Sequence, residues 1–157
     1  MIFERHMGLD IGTARIGVAF SDPLGIAAHP HSTVDRNGNG EMKSIVALIE
    51  QQKVQTVVIG VPYELDGNVG DAARGVLAWG DSLRRVLSRS ERTTNVKIEY
   101  WDERLTTASA EHYIVGSRKK NKDRRSLLDQ VAASLILESY MSCKGKLSSV
   151  TSYTSGQ

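Results

Sequence analysis

"MGLDIGTARIGVAFSD", residues Met7 to Asp22, decides the fold. Two apolar runs of strand character, Met7 to Ile11 and Ile16 to Phe20, flank the tetrapeptide Gly12-Thr13-Ala14-Arg15. Such runs around a short Gly-containing turn predict a β-hairpin. One carboxylate, Asp10, interrupts the first run where an apolar residue would be buried at lower cost. Three readings of Asp10 stand at this point: a metal ligand, part of a phosphate-gripping hairpin, or an acid accepting hydrogen bonds from turn amides.

Downstream, Ala27 to Val34 reads as a third strand, and Pro30 within it predicts an edge position or a bulge. "DRNGNGE" is a loop by composition. Met42, Ile45, Val46, Leu48 and Ile49 then repeat with helical spacing up to Lys53. "TVVIGVP" is a continuous β-branched run without alternation, the mark of an interior parallel strand buried on both faces. After the glycine-rich loop "YELDGNVG", Ala72, Ala73, Val76, Leu77, Gly80, Leu83 and Leu87 line one face of a helix. "VKIEYW" alternates as a strand, with "DERLTT" at its C-terminal end. Thr106 or Thr107 can cap a helix running to about Val115, ended by Gly116. A last helix is expected from Asp123–Ser126 to about Met141, with Leu128, Val131, Ala132, Leu135 and Ile136 as its apolar stripe.

The order β-β-β-α-β-α-β-α-α predicts an α/β fold. Three antiparallel strands are followed by two parallel ones, with helices on both faces. Residues 1–143 form one domain in this reading, and the Ser/Thr-rich segment 144–157 a flexible tail.

Bulk properties narrow the function classes. A chain of 157 residues suits one domain, and 40% apolar with 24% charged content suits a globular protein in water. No apolar run approaches the ~20 residues of a membrane helix, and "MIFERHMG" lacks the features of a signal peptide. The cytoplasm is the expected compartment, with no membrane partner. The single cysteine, Cys143, excludes an internal disulfide and a Cys-based zinc site. Net charge is only +2, yet Arg118, Lys119, Lys120, Lys122, Arg124 and Arg125 cluster against Asp123 alone. Such a run attracts polyanions, or is a solvated loop.

Three acids stand in structured, partly apolar settings: Asp10 in the first strand, Glu103 after "IEYW", and Asp129 beside the stripe of the last helix. Together they would repel one another, and Mg2+ or Mn2+ would neutralise the cluster through oxygen ligands. A carboxylate trio holding such ions fits phosphodiester hydrolysis. Each acid also has a plain structural reading. Asp10 can serve the turn, Glu103 can pair with Arg104, and Asp129 with Arg124 or Arg125.

"LDIGTARIGVAFSD", "VVIGVPYELDG", "DERLTT" and "RRSLLDQVAASLILESY" occur in the order seen in YqgF-type proteins, the bacterial Holliday-junction-resolvase-like proteins also described as candidate pre-16S rRNA nucleases. The chain resembles this family from about Met7 to Met141, with Val61 where leucine is usual. The resemblance implies a ribonuclease H-like fold, catalytic acids at Asp10, Glu103 and Asp129, and divalent-metal-dependent cleavage of a nucleic-acid backbone. The substrate implied is the 5′ end of the small-subunit ribosomal RNA precursor, on a ribosomal precursor particle; branched DNA is the alternative.

Supporting roles are expected from the residues themselves. Thr13 and Arg15 would contact phosphate. Arg104 would orient Glu103 or bind the scissile phosphate. Lys119, Lys120, Arg124 and Arg125 would track the backbone. Thr106 and Thr107 read equally as helix caps or RNA ligands, whereas Asp66-Gly67 is better read as a turn, one of Tyr100 and Trp101 as a core residue, and His29 and His31 as structural. Two other functions compete. A kinase-type phosphotransferase also opens with Asp-x-Gly-Thr, but needs two such domains. A non-catalytic RNA-binding module would not need the acids.

Overall fold

A computed structural model describes residues 4–106 and 121–154. Strand β1 (His6–Ile11) and β2 (Arg15–Ser21) form the expected hairpin, with Asp10 opposite Gly17. The turn closes by Gly12 N–H donating to the Arg15 carbonyl at 2.8 Å. Strand β3 (Ala28–Asp35) pairs antiparallel with β2 at the sheet edge. Its register slips between Val18, which faces Ser32, and Ala19, which faces Pro30. His31 is thus the extra residue of a bulge, and Pro30, lacking an N–H, sits where an edge tolerates it.

Helix α1 (Glu41–Gln51) leads to β4 (Thr56–Val61), which pairs parallel with β1 and is buried at every position. Helix α2 (Asp71–Leu87) leads to β5 (Lys97–Asp102), parallel to β4. The strand order is β3-β2-β1-β4-β5. Three antiparallel strands followed by two parallel ones match the expectation from the sequence. The last helix described, α3, spans Asn121–Thr154.

Alternation along the strands sorts side chains between two layers. Met7, Leu9, Ile16, Val18, Val57 and Ile59 are fully buried against Ile45 and Ile49 of α1 and Leu83 of α2. Each such side chain contributes roughly 1.5–3 kcal/mol by leaving water. The opposite face carries smaller groups, and α3 lies on it, with Ile136, Leu137 and Tyr140 packed around Val58 and Ala28. The helices therefore cover both faces of the sheet.

Two boundaries differ from the sequence reading. The backbone of α3 stays helical to Thr154, past the Met141 where the apolar stripe ends, so helix continues into the segment read as lacking periodicity. The buried side of α3 also differs in part: Val131, Leu135 and Ile136 of the expected stripe are buried, and Asp129, Ala133, Ile136 and Leu137 approach Gly8, Gly17 and Gly60. Glycines on the strands admit backbone and a small Ala133 where an apolar stripe alone would predict large side chains. The helix expected to about Val115, with Gly116, Arg118, Lys119 and Lys120, lies outside the described residues.

Candidate active site

Asp10 is the penultimate residue of β1 and is half-buried on the α3 side of the sheet. Its neighbours across both flanking strands are glycines. Gly17 is its register partner on β2, and Gly60 follows Ile59, the partner of Leu9, on β4. A Cβ on Gly17 would collide with the carbonyl of Asp129 on α3. A Cβ on Gly60 would stand 2.9 Å from Glu103 Oε1 and 2.5 Å from Ile136 Cδ1. The two glycines thus clear room on either side of Asp10, one for the helix at Asp129 and one for the Glu103 side chain.

Glu103 opens a 3-10 turn (Glu103–Leu105) directly after β5. The Asp102 carboxylate caps this turn by accepting the Arg104 backbone N–H at 2.9 Å. Asp10 near the end of β1 and Glu103 just after the end of β5 therefore lie toward the C-terminal edge of the parallel strands, where open α/β sheets place their sites.

The electrostatics follow from that placement. Burial, then the charges of Glu103 and Asp129, push the Asp10 carboxyl up to about 7. Burial, then Asp102, also raises Glu103. A buried carboxyl raised by two neighbouring acidic charges suits a hard divalent cation, which takes oxygen ligands and would offset that repulsion. As placed, however, the acids do not close into a ligand cluster: among the described residues no three His, Cys, Asp or Glu side chains are grouped to hold a metal. Asp129 Oδ2 instead accepts from Arg15 Nε at 2.7 Å. Asp129 thus pairs across the fold with Arg15, not with Arg124 or Arg125 one turn away.

The supporting residues divide. Arg15 lines a cleft of about 650 Å3 with Thr33, Asp35, Asn37, Arg125 and Ser126. One wall is fastened by Thr33 Oγ1 donating to the Ser126 carbonyl at 3.0 Å and by Gln130 Nε2 donating to Thr33 Oγ1 at 3.2 Å. Thr13 is exposed on the hairpin turn, and Arg124 is exposed at the start of α3. Lys119 and Lys120 lie outside the described residues.

Arg104 does not pair with Glu103. Its Nη2 donates to Asp102 Oδ2 at 2.6 Å and its Nε to Asp102 Oδ1 at 3.0 Å, which holds Asp102 below the usual carboxylate range. Its Nη1 reaches the Leu65 carbonyl at 3.4 Å, so Arg104 ties the loop after β4 to the end of β5. Asp66-Gly67 is a turn, with Asn68 N–H donating to Asp66 Oδ1 at 2.9 Å and Gly67 at φ +89°. Tyr100 donates to Asp81 at 3.0 Å on the α2 side, and Trp101 Nε1 to Ser139 Oγ at 3.0 Å on the α3 side. Both rings are thereby committed to packing.

Sequence reasoning missed Gly17, Gly60 and the Arg15–Asp129 pair. The glycines carried a signal, since each sits between two β-branched residues inside a strand, the pattern of close backbone approach. The ion pair carried none.

A mixed five-stranded sheet in this order, with helices on both faces, is a ribonuclease H-like fold. The chain belongs to the RuvX family: the family model described as "Holliday junction resolvase" matches residues 4–143. This is a family of nucleases, hydrolases of ester bonds. Relatives named "Putative pre-16S rRNA nuclease" include one from Lachnospira eligens, 37% identical over 90% of this chain and 99% of the relative. Another, from Desulforudis audaxviator, is 40% identical over 89% of this chain and 95% of the relative.

Among solved structures, Thermus thermophilus RuvC in complex with a Holliday junction substrate superposes with a TM-score of 0.56 at 13% identity, over 90% of this chain and 96% of that one. The yeast mitochondrial Holliday junction resolvase Ydc2 gives 0.53 at 12% identity, over 88% of this chain and 78% of that one. These likenesses are of fold. Among the described residues no helix is long and apolar enough to cross a membrane.

Proposed function

We propose that this protein is a divalent-metal-dependent nuclease that hydrolyses phosphodiester bonds at the 5′ end of the small-subunit ribosomal RNA precursor, in the cytoplasm, on the precursor particle. The observation that supports the reading is that the buried Asp10 carboxyl feels the charges of Glu103 and Asp129, with strand glycines beside it against the Asp129 backbone and the Glu103 side chain. The names of the relatives support the substrate.

Asp10, Glu103 and Asp129 would hold Mg2+ or Mn2+, which supplies an activated water and charge for the leaving oxygen. The chain's own groups do the rest. Arg15 and Arg125 face one cleft and bind phosphate there. Thr13 on the turn, and Arg124, Lys119 and Lys120 on the basic run, contact the backbone on either side. Arg104 acts indirectly, fixing Asp102 and the turn that presents Glu103. Branched DNA is a second substrate reading, favoured by the description of the family.

The test is Mn2+-dependent cleavage of precursor RNA and of a four-way DNA junction by wild type, Asp10→Asn and Asp129→Asn. Each substitution is expected to lower the rate by at least about two orders of magnitude, since a bound metal supplies several kcal/mol of transition-state stabilisation. Cleavage by the variants at the wild-type rate would overturn the three-acid centre. RNA binding without cleavage by wild type would leave a non-catalytic assembly module.

A further inference from the structure

Asp129 stands between two partners. Its backbone rests on Gly17. Across the sheet from Gly17 is Asp10, and two residues before it, on the same side of β2, is Arg15. The Asp129 carboxylate is turned to Arg15, with Nε donating to Oδ2 at 2.7 Å. In that position it neutralises a cation of the chain itself and does not close a ligand set with Asp10 and Glu103.

The pair is also built to come apart. The side chains are 37% and 25% exposed, so water screens the attraction. Among the described residues the Arg15 guanidinium hydrogen-bonds to Asp129 through Nε, with the charge of Asp35 also acting on it, and its side chain lines the cleft shared with Arg125 and Asp35. A phosphodiester entering that cleft offers two anionic oxygens to a planar guanidinium. A bidentate bond of that kind is stronger and more directional than a single contact to a carboxylate.

We propose that Arg15 is a positioning residue that holds Asp129 as its counter-ion until a substrate phosphate takes the guanidinium, so that phosphodiester and divalent cation bind cooperatively. The proposal rests on the three-acid reading above. Without nucleic acid, Arg15 competes with the cation for Asp129. With a phosphate bound, the competition ends and the carboxylate turns to Asp10 and Glu103. Linkage makes the effect reciprocal: the cation strengthens phosphate binding by the factor by which phosphate strengthens cation binding. The nuclease is thereby charged with metal chiefly when a substrate is in place.

The test measures binding on the full chain. Mn2+ is titrated by calorimetry into wild type, Arg15→Gln and Arg15→Lys, with and without a phosphorothioate RNA dodecamer. For wild type, the dodecamer is expected to tighten Mn2+ binding about tenfold, within the usual range of such couplings. Arg15→Gln is expected to bind Mn2+ about tenfold more tightly than wild type without RNA, and to gain nothing further from RNA. Arg15→Lys, which keeps the charge but not the fork, is expected to stay near wild type without RNA and to show a reduced gain with it. Arg15→Gln binding Mn2+ no more tightly than wild type would overturn the proposal while leaving the metal centre standing. Absence of Mn2+ binding in all three proteins, with native thermal melts, would overturn the proposal together with the three-acid reading.

Discussion

Asp10 holds its proton more tightly in the folded chain than in the unfolded one, because its carboxyl rises from an ordinary 3.8 to about 7. Between those values the folded state binds more protons than the unfolded state, so stability falls as pH rises, by up to ~1.4 kcal/mol per pH unit, and levels off above about 7. Asp10→Asn removes this liability. Its melting temperature is expected to equal that of wild type near pH 4 and to exceed it at pH 8 in the presence of a chelator. Mn2+ at pH 8 should raise the wild-type melting temperature and leave the variant unmoved. A constant gap at both pH values would show that the Asp10 charge is not the source. At this scale the three acids proposed as the centre stood out in the sequence, since each sat in a structured, partly apolar setting. Their partners were not. Arg15 is 114 residues from Asp129, and no local spacing announces such a contact. Arg104 likewise turned to Asp102, because the tight turn after β5 puts its guanidinium beside the capping carboxylate.

The two glycines beside Asp10 have different jobs at the level of elements, and alanine should separate them. At Gly17 the obstacle is the Asp129 carbonyl, part of the α3 backbone, so the whole helix must shift. Gly17→Ala is expected to cost about 1–3 kcal/mol, read as a lower midpoint in urea. At Gly60 the obstacles are the tip of Ile136 and the Glu103 side chain, both able to move. Gly60→Ala is expected to cost less stability and to lower cleavage more, because Glu103 is displaced. Equal losses of stability and activity in both variants would contradict this division. The strands and α1 and α2 were readable from period and composition, and Pro30 announced the bulged edge. The stripe of α3 was readable at Val131, Leu135 and Ile136, but the close approach of Asp129 and Ala133 was not, because it depends on glycines in strands far away in sequence.

Over the whole molecule, the cleft holding Arg15 and Arg125 is continuous in sequence with the basic run. Arg124→Ala with Arg125→Ala is expected to weaken RNA binding and to lower the slope of log affinity against log salt by about 0.7 for each phosphate that is no longer neutralised. Fluorescence anisotropy from low to high salt measures it, and an unchanged slope would assign both arginines to a solvated surface. The architecture itself was legible because every strand agreed with its neighbours in period and order.

One consequence belongs to the history of each molecule. A growing chain exposes Asp10 and Glu103 first, and the α3 segment with Asp129 only later in synthesis. Until α3 emerges from the exit tunnel and docks on Gly8 and Gly17, the proposed centre lacks an acid and one face of the sheet lacks its cover. Vectorial synthesis therefore makes completion of the proposed centre a late step of folding, because its third acid arrives on the last helix described.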